Sequence, residues 1–295
     1  MRSLVIGMGI GQLYKSVLEG MGHEVLTLDT DPTKSTDFKD IRDASLRLNH
    51  FNTVHICTPN FTHKEIAEAI APSSNIIFVE KPGFRNSIEW QDFVKYRPLT
   101  HIMMVKNNQW RSNISDMIRL KEQALVIEIR WHNKDRVPNP GTWFTTKELA
   151  FGGVSRDLMP HLLSLFMVME PNYQQAVKMR YFSEQNWILD DVKNTDYGIV
   201  NPNGTYDVDD HCRIEYAIDD KIWILDANWR TLKEDDRAII FTMKDGTTKR
   251  IELGLCPEEA YKNMINDTLL SMRENIFWKK QHTQDLWIHE TIEKL

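Results

Sequence analysis

The sequence predicts a two-domain α/β protein: a doubly wound parallel sheet, followed by an α+β domain with a large, mostly antiparallel open sheet. Its 295 residues correspond to about two domains at roughly 150 residues each. In the first third, short continuous apolar runs alternate with helical patterns, as parallel strands covered on both faces do. Beyond residue 112, strand-like runs alternate apolar and polar side chains, which indicates one solvated face. We therefore expect one domain over residues 1–112 and another over residues 113–295.

In the first domain, each of the first four predicted strands ends at residues that favour a turn or loop. A glycine cluster ends the first strand, Asp29 the second, Thr58-Pro59 the third and Pro82 the fourth. The segments between the strands carry apolar residues at helical spacing. The predicted strands are 4–6, 24–28, 53–57, 76–79 and 102–105, and the predicted helices are 12–19, 61–70 and 87–96.

In the second domain, two turn signals join predicted strands into hairpins. Asp219-Asp220 separates one pair of runs, and Asp245-Gly246 separates another with a stronger signal. The predicted strands are 124–131, 210–218, 221–229, 237–243 and 247–253, and the flanking predicted helices are 154–169 and 257–277. This order indicates mostly antiparallel strands with helices on one face.

Composition argues against several classes of protein. The formal charge of −6, from 36 basic and 42 acidic residues, argues against a general nucleic-acid binder and a polybasic membrane anchor. No run approaches about 20 apolar residues, and the N-terminal residues lack a signal-peptide pattern. The scattered Cys57, Cys212 and Cys256 form neither a disulfide framework nor a CxxC metal site by spacing. We therefore expect a cytoplasmic protein with no nucleic-acid, membrane or metal partner.

The glycine cluster after the first strand indicates a dinucleotide-binding turn. Gly7 would allow the tight turn, and Gly9 would allow a pyrophosphate to approach the amides that begin the helix. The turn continues through Ile10 and Gly11 to Gln12. Because Gln12 occupies the position where the full fingerprint has glycine or alanine, a plain strand-to-helix turn remains an alternative.

Asp29 indicates which cofactor this turn would bind. It lies 20 positions after Gly9, at the end of the second predicted strand, where a carboxylate hydrogen-bonds the adenosine ribose hydroxyls. A carboxylate there repels a 2′-phosphate, which favours NAD over NADP, although Thr30 and Lys34 are near enough to soften the preference. The alternative role for Asp29 is a turn residue before Asp31-Pro32.

Polar segments follow the third and fourth predicted strands. Thr58, Pro59 and Asn60 end a central strand, and Glu80 and Lys81 end the next one. Ligands of open parallel sheets bind beyond the carboxyl ends of the strands, so both segments are expected at the cofactor cleft. A lysine there can donate a proton or polarise a substrate oxygen. The alternative for Lys81 is a solvated loop lysine.

Asp157 and His161 form the second candidate catalytic element. Their i, i+4 spacing places both side chains on one face of the predicted helix 154–169. Histidine suits a base that takes a hydroxyl proton, because its ordinary pKa lies near neutrality. The aspartate would orient that ring or bind a substrate hydroxyl. The alternatives are an ordinary surface pair and, with less support, a metal site, for which no third ligand stands at helical spacing.

Taken together, these motifs make the sequence resemble the Gfo/Idh/MocA family of NAD(P)-dependent oxidoreductases. Each motif alone is modest, but their order and spacing match the family over nearly the whole chain. In chain order, the matching residues are Gly7-x-Gly9, Asp29, Thr58-Pro59-Asn60 with His63, Glu80-Lys81-Pro82, Gly152-Gly153-x-x-x-Asp157-x-x-x-His161, Val208-Asp209-Asp210-His211 and Asn228-Trp229-Arg230.

The resemblance implies a Rossmann domain followed by an α/β domain whose open sheet often forms the interface of a homodimer or homotetramer. It implies hydride transfer between the nicotinamide C4 of NAD or NADP and a carbinol carbon of a sugar, cyclitol or related compound. By resemblance, Lys81 would be the catalytic lysine, His161 the general acid/base and Asp157 its partner. The Lys81–Pro82 bond would be cis. The cofactor site would also include Thr58, Pro59, Asn60, His63 and Glu80.

The sequence also departs from the family pattern near the expected substrate site. Met159 stands where relatives often have glycine, and residues 105–111 replace a more usual stretch that bears glycine and arginine. Within that stretch, Asn108 and Arg111 are candidate substrate contacts. Trp143 is a third candidate for the substrate pocket, and a core or interface tryptophan is the alternative.

The leading hypothesis is an NAD(P)-dependent dehydrogenase or reductase of CH–OH groups, in which His161 deprotonates a hydroxyl with help from Lys81. A non-catalytic, NAD(P)-sensing regulator on the same scaffold is one alternative. A bilin-type reductase is another, because residues 153–156 and 163–166 resemble a stretch of such an enzyme. That enzyme lacks the full set of lysine, aspartate and histidine, so the bilin hypothesis ranks below the hypothesis of a sugar or cyclitol substrate.

Overall fold

The computed structural model describes residues 1–47, 50–192 and 198–295. It divides the chain into two compact units. Residues 1–105 and 258–293 form the first unit, and residues 106–257 with 294–295 form the second. This division differs from the predicted one at residue 112, because the C-terminal helices return to the first unit.

The first unit begins with alternating strands and helices. They are β1 (Arg2–Ile6), α1 (Gly11–Gly20), β2 (Glu24–Leu28), α2 (Ile41–Arg47), β3 (Phe51–Ile56), α3 (His63–Ile70), β4 (Ser74–Val79), α4 (Ser87–Tyr96) and β5 (His101–Met104). The strands form a parallel sheet in the order β2-β1-β3-β4-β5, which confirms the predicted doubly wound sheet. Helix α2 was not predicted, since its short, highly charged sequence lacks an extended apolar face.

The register of the parallel sheet brings the carboxyl ends of its strands to one edge. Ile6 pairs with both Leu28 and Ile56, so β1, β2 and β3 end together. In the same way, Val79 at the end of β4 pairs with Ile56 and with Met104. The loops predicted to bind a cofactor therefore leave the sheet side by side.

The second unit is built on a six-stranded mixed sheet. Its elements are α5 (Ile114–Gln123), β6 (Ala124–His132), α6 (Lys147–Ala150), α7 (Val154–Asp157), α8 (Met159–Met169), β7 (Val177–Glu184), α9 (Leu189–Val192), β8 (His211–Ile218), β9 (Lys221–Asn228), β10 (Asp236–Met243) and β11 (Thr248–Glu252). The strand order is β11-β10-β6-β9-β8-β7. Only β6 and β9 pair in parallel among the described strands of this sheet, which confirms a mostly antiparallel domain.

The second unit also contains four elements that were not predicted from the sequence: strand β7 and helices α5, α6 and α9. Strand β7 lies at the edge of the sheet, its residues are largely exposed, and its register shifts between Lys178 and Arg180. An exposed edge strand needs no buried apolar run, so the main sequence signal for a strand is weak there.

The predicted helix 154–169 is interrupted in the structure. Helix α7 ends at Asp157 and α8 begins at Met159, with Leu158 between them. Pro160, in the first turn of α8, has no amide hydrogen and cannot continue the hydrogen bonds of α7. The expectation that Asp157 and His161 share one continuous helix is therefore corrected: they lie on either side of this break.

Two helices, α10 (Glu258–Leu270) and α11 (Asn275–Ile292), complete the first unit. Tyr261 packs edge-on against Tyr14 of α1, with ring centroids 5.3 Å apart. The buried Asp285 of α11 accepts a hydrogen bond of 3.1 Å from the Met104 amide at the end of β5. These contacts explain why a single cut near residue 112 does not separate the units. None of the helices within the described ranges is long and apolar enough to cross a membrane.

The core of the first unit contains a buried histidine on β3. The ring of His55 stacks on Phe78 at 4.7 Å and is 1% exposed. Its Nδ1 has no hydrogen-bond partner among the described residues. Burial and the nearby charge of His23 lower the pKa of His55 to about 3. The ring is therefore neutral in the folded protein at neutral pH.

We expect acid to destabilise the folded state through His55. Because its folded pKa is below its unfolded pKa, the stability that it contributes is present above about pH 6.5 and is lost as pH falls toward 3. Between pH 7.5 and pH 5, the free energy of unfolding should fall by about 2 kcal/mol more in the wild type than in His55→Phe. Urea denaturation at the two pH values measures this difference, and equal losses in both proteins would contradict it.

Candidate active site

The turn after β1 has the backbone geometry expected of a dinucleotide-binding loop. Gly7 has φ of +89°, and a Cβ there would lie 2.7 Å from the carbonyl oxygen of Cys57, so only glycine fits. At Gly9, a Cβ would meet no heavy atom of the described residues within 4 Å. Helix α1 then begins at Gly11 without a side-chain cap in this described segment. The loop therefore leaves room for a phosphate at a helix N-terminus.

Gly11, rather than residue 12, provides the close packing between helix and strand. A Cβ on Gly11 would lie 2.9 Å from Cγ1 of Val5 on β1. Gln12 is exposed, as are Gly9 and Ile10. The departure from the glycine fingerprint at Gln12 is thus compatible with the usual approach of the helix to the sheet.

Asp29, at the end of β2, is hydrogen-bonded to the glycine turn. Its Oδ2 accepts from the Met8 amide at 2.7 Å and from Lys34 Nζ at 2.8 Å, and its Oδ1 accepts from the Asp31 amide at 2.9 Å. Burial raises the pKa of Asp29, but the hydrogen bonds from Lys34, Met8 and Asp31 outweigh it, so the pKa is below its ordinary value. The structure therefore brings together Asp29 and the turn, while Thr30 is exposed beside them.

His63 joins the loops that follow β3 and β4. Its Nδ1 lies 2.8 Å from the Gly83 carbonyl oxygen and its Nε2 lies 2.8 Å from the Thr58 carbonyl oxygen. Burial lowers the pKa of His63 despite these two carbonyl contacts, and the charge of Lys81 adds to the effect. The ring is fully buried, so it holds the loops rather than facing a ligand. Thr58, Pro59 and Asn60 remain half-exposed.

Glu80 and Lys81 follow β4 at the same sheet edge. The Tyr14 hydroxyl donates to Glu80 Oε1 at 2.6 Å, and the Lys81 amide donates to Glu80 Oε2 at 3.2 Å. Burial, followed by the charge of Glu80, raises the pKa of Tyr14 well above its usual value, so its hydroxyl stays protonated. The Lys81–Pro82 bond is cis, as the resemblance implied, and the Lys81 side chain is half-exposed.

In the second unit, Asp209 fixes the double-glycine segment before α7. Its carboxylate accepts hydrogen bonds from the Gly153 amide at 2.8 Å and the Ser155 amide at 2.7 Å. Its carbonyl oxygen accepts from the Val154 amide at 2.9 Å. A Cβ on Gly153 would lie 1.8 Å from that oxygen, which explains why glycine is required. This role of Asp209 was not predicted, although Asp209 belongs to one of the matching motifs.

Asp157 and His161 have different polar partners in this unit. The Trp229 indole donates to Asp157 Oδ2 at 2.8 Å. His161 Nδ1 lies 3.1 Å from Asn108 Nδ2, and the His161 ring stacks on Trp131 with centroids 5.8 Å apart. Both side chains are half-exposed. Trp229 and Trp131 were not predicted as partners of this pair, because sequence patterns do not show which distant residues contact a helix end.

The structure places Asn108 beside His161 and Arg111 beside Asn108. Asn108 is fully buried, and Arg111 is 8% exposed. Arg111 donates from Nη1 to the Leu253 carbonyl oxygen at 2.6 Å and from Nη2 to the Gly254 carbonyl oxygen at 3.2 Å. Asn108 and Arg111 are thus held by contacts within the protein, and their contact with a substrate stays a prediction. Trp143 is half-buried and packs against Phe144 at 4.5 Å.

Comparison with solved structures identifies the fold. GenD2 from gentamicin A biosynthesis, solved in complex with NAD, superposes with a TM-score of 0.77 at 17% identity, covering 99% of this chain and 92% of that one. Levoglucosan dehydrogenase, solved with NADH and levoglucosan, gives a TM-score of 0.74 at 13% identity, covering 100% of this chain and 97% of that one. The chain therefore has the Gfo/Idh/MocA-type oxidoreductase fold, which is also that of inositol dehydrogenases.

Sequence comparison gives a partial match. No family model matches the chain. A protein of Amycolatopsis mediterranei strain S699, provisionally assigned as a UDP-kanosamine synthase oxidoreductase subunit, is 29% identical over 178 residues. The match covers 55% of this chain and 49% of that protein, so the chain spans about half the length of the curated relative it matches. In the described part of the chain, no group of three or more His, Cys, Asp or Glu residues is arranged to hold a metal ion.

Proposed function

We propose that the protein is an NAD(P)-dependent dehydrogenase or reductase acting on a CH–OH group of a sugar, cyclitol or related small molecule. The observation that carries this proposal is the hydrogen bond between Asp29 and the Met8 amide, beside the open backbone at Gly9. A carboxylate held against a glycine turn is suited to an adenosine ribose, and the helix start beyond it is suited to a pyrophosphate. The fold shared with proteins solved with NAD or NADH supports the same assignment.

The first unit would hold the cofactor through the turn and the neighbouring strand ends. When bound, the nicotinamide supplies the position that accepts or delivers a hydride. Asp29 favours NAD, because its negative charge would repel the 2′-phosphate of NADP. The residues proposed to hold the cofactor are Gly7, Gly9, Ile10, Gly11, Gln12, Asp29, Thr30, Thr58, Pro59, Asn60 and Lys81, with His63 and Glu80 supporting their loops.

We further propose that Lys81 is the catalytic lysine and that His161 acts on the reacting oxygen of the substrate, with Asp157 as the acidic partner of His161. Levoglucosan is the sugar bound in one of the solved structures, and UDP-kanosamine occurs in the name of the curated relative. Both names support a polyhydroxylated substrate, free or nucleotide-linked. Trp143 is proposed to line its pocket.

A substrate panel tests the function. The purified protein is incubated with NAD⁺ or NADP⁺ and with sugars, nucleotide sugars and inositols, or with reduced cofactor and bilins, and the absorbance of reduced nicotinamide is followed. We expect turnover of a polyhydroxylated compound. Cofactor binding without turnover of any compound would favour an NAD(P)-sensing regulator, and turnover of bilins alone would favour a bilin-type reductase.

Cofactor preference tests the assignment of Asp29 without a substrate. Asp29→Asn keeps an oxygen for the Met8 amide but removes the negative charge, so affinity for NADP⁺ relative to NAD⁺ should rise about tenfold. Calorimetric titration measures both affinities. The control is Asp31→Asn, which removes a half-exposed carboxylate nearby and should leave the ratio unchanged. An unchanged ratio in Asp29→Asn would remove Asp29 from the ribose site.

We also propose that the mixed sheet forms the interface of a homodimer or homotetramer. Val126 pairs with Ile222, and Glu128 lies between Ile224 and Ile240, so apolar side chains are adjacent on one face. These apolar residues are half-exposed, and contact with another subunit would bury them. Sedimentation measures the assembly state, and a monomer at micromolar concentration would contradict this interface.

A further inference from the structure

Three side chains are hydrogen-bonded in series, from Arg111 through Asn108 to His161. Two backbone carbonyl oxygens, of Leu253 and Gly254, hold the Arg111 guanidinium. Arg111 Nε donates to Asn108 Oδ1 at 2.7 Å, and Asn108 Nδ2 lies 3.1 Å from His161 Nδ1. Because Arg111 and Asn108 are buried, water competes little for these bonds.

This series allows only one orientation of the Asn108 amide. A guanidinium has only hydrogen-bond donors, so the amide oxygen must face Arg111. A second contact agrees, since Asn108 Nδ2 donates to Asn107 Oδ1 at 3.4 Å, and a rotated amide would place two oxygens together. The NH₂ group of Asn108 therefore faces the His161 ring.

We propose that Arg111, acting through Asn108, fixes the neutral His161 ring as the tautomer that carries its proton on Nε2. An NH₂ donor at Nδ1 requires a lone pair on that nitrogen, and a neutral imidazole then holds its proton on the other one. A proton on Nδ1 would place two N–H groups against each other. Arg111 and Asn108 are thus positioning residues for His161.

The tautomer defines what His161 does, and this consequence rests on the proposed function. In the neutral ring Nε2 has a proton, so it donates a hydrogen bond to a substrate oxygen and has no lone pair to accept one. This narrows the predicted general acid/base role. His161 then donates from Nε2 to the reacting oxygen and stabilises negative charge that develops there.

Nuclear magnetic resonance tests the tautomer in the protein without cofactor or substrate. The protein is labelled with ¹⁵N-histidine, long-range ¹H–¹⁵N correlations are recorded at a pH where the ring is neutral, and His161→Gln identifies the His161 signals. We expect at least about tenfold more Nε2–H than Nδ1–H, because a net hydrogen bond is lost on changing tautomer. An Nδ1–H majority or an even mixture would overturn the proposal.

A pair of matched variants tests whether Asn108 determines the tautomer of His161. Asn108→Asp keeps an oxygen for Arg111 but replaces the NH₂ donor with an acceptor, so we expect a proton on His161 Nδ1. Asn107→Asp makes the same chemical change at the adjacent buried position and retains the acceptor for Asn108, so Nε2–H should persist. Persistence of Nε2–H in Asn108→Asp would overturn the role of Asn108. Because no turnover is measured, failure of the proposed function would leave this result intact.

Discussion

Replacement of Lys81 with methionine is expected to lower kcat by about 10²-fold or more, while NAD⁺ still binds. Lys81 lies at the carboxyl edge of the parallel sheet, directly after β4, and its side chain is half-exposed. Its backbone is held by the Glu80 carboxylate and precedes a cis proline. An ammonium group there can polarise a substrate oxygen or exchange a proton with it, whereas methionine keeps the length of the side chain without the charge.

The Lys81 prediction is measured with the substrate found in the panel, together with calorimetric titration of NAD⁺. Lys64→Met is a suitable control, because Lys64 is a helix lysine whose 3.8 Å ion pair with Glu89 is partly exposed. Its kcat should be unchanged. A Lys81→Met protein with the wild-type kcat would remove Lys81 from the mechanism, and loss of NAD⁺ binding would limit its role to holding the cofactor.

His161→Ala is expected to cause a similar loss, and His161→Gln a smaller one. If His161 donates a hydrogen bond from Nε2, the amide NH₂ of glutamine can replace part of that interaction, whereas alanine cannot. We expect His161→Ala to lower kcat by about 10²-fold or more and His161→Gln to retain at least about tenfold more activity than alanine.

The comparison of these two His161 variants separates two roles. A general base transfers the proton itself, and neither alanine nor glutamine can do so, so equal losses would contradict the hydrogen-bond role. Wild-type rates in both variants would remove His161 from the reaction. The resonance experiment on the tautomer provides a check that does not depend on turnover.

The parallel sheet and its ligand-binding edge could be predicted because their signals are local. Apolar runs marked the strands, and the positions of Gly7 and Asp29 indicated that β1 and β2 end near each other. The hydrogen bond from the Met8 amide to the Asp29 carboxylate agrees with that expectation. Positive φ at Gly7 and the open space at Gly9 follow from the same glycine pattern.

The remaining features depend on contacts between residues far apart in the sequence. The return of α10 and α11 to the first unit rests on contacts such as that between Met104 and Asp285, which no local pattern reveals. Likewise, Arg111 was predicted to contact the substrate, and only the structure shows that the carbonyl oxygens of Leu253 and Gly254 bind its guanidinium. His63 matched a family motif, but only the structure shows that its ring is buried between two loops.

Hydride transfer from a carbinol carbon is tested most directly by following a deuterium label from the substrate to the cofactor. The protein is incubated with NAD⁺ and a mixture of perdeuterated glucose and perdeuterated myo-inositol, or with the deuterated form of the compound turned over in the panel, and the reduced cofactor is analysed by mass spectrometry. We expect deuterium on the nicotinamide ring of the reduced cofactor, and none with the Lys81→Met and His161→Ala double variant. Reduced cofactor that lacks deuterium, or no reduced cofactor with any polyhydroxylated compound, would contradict hydride transfer from a carbinol carbon.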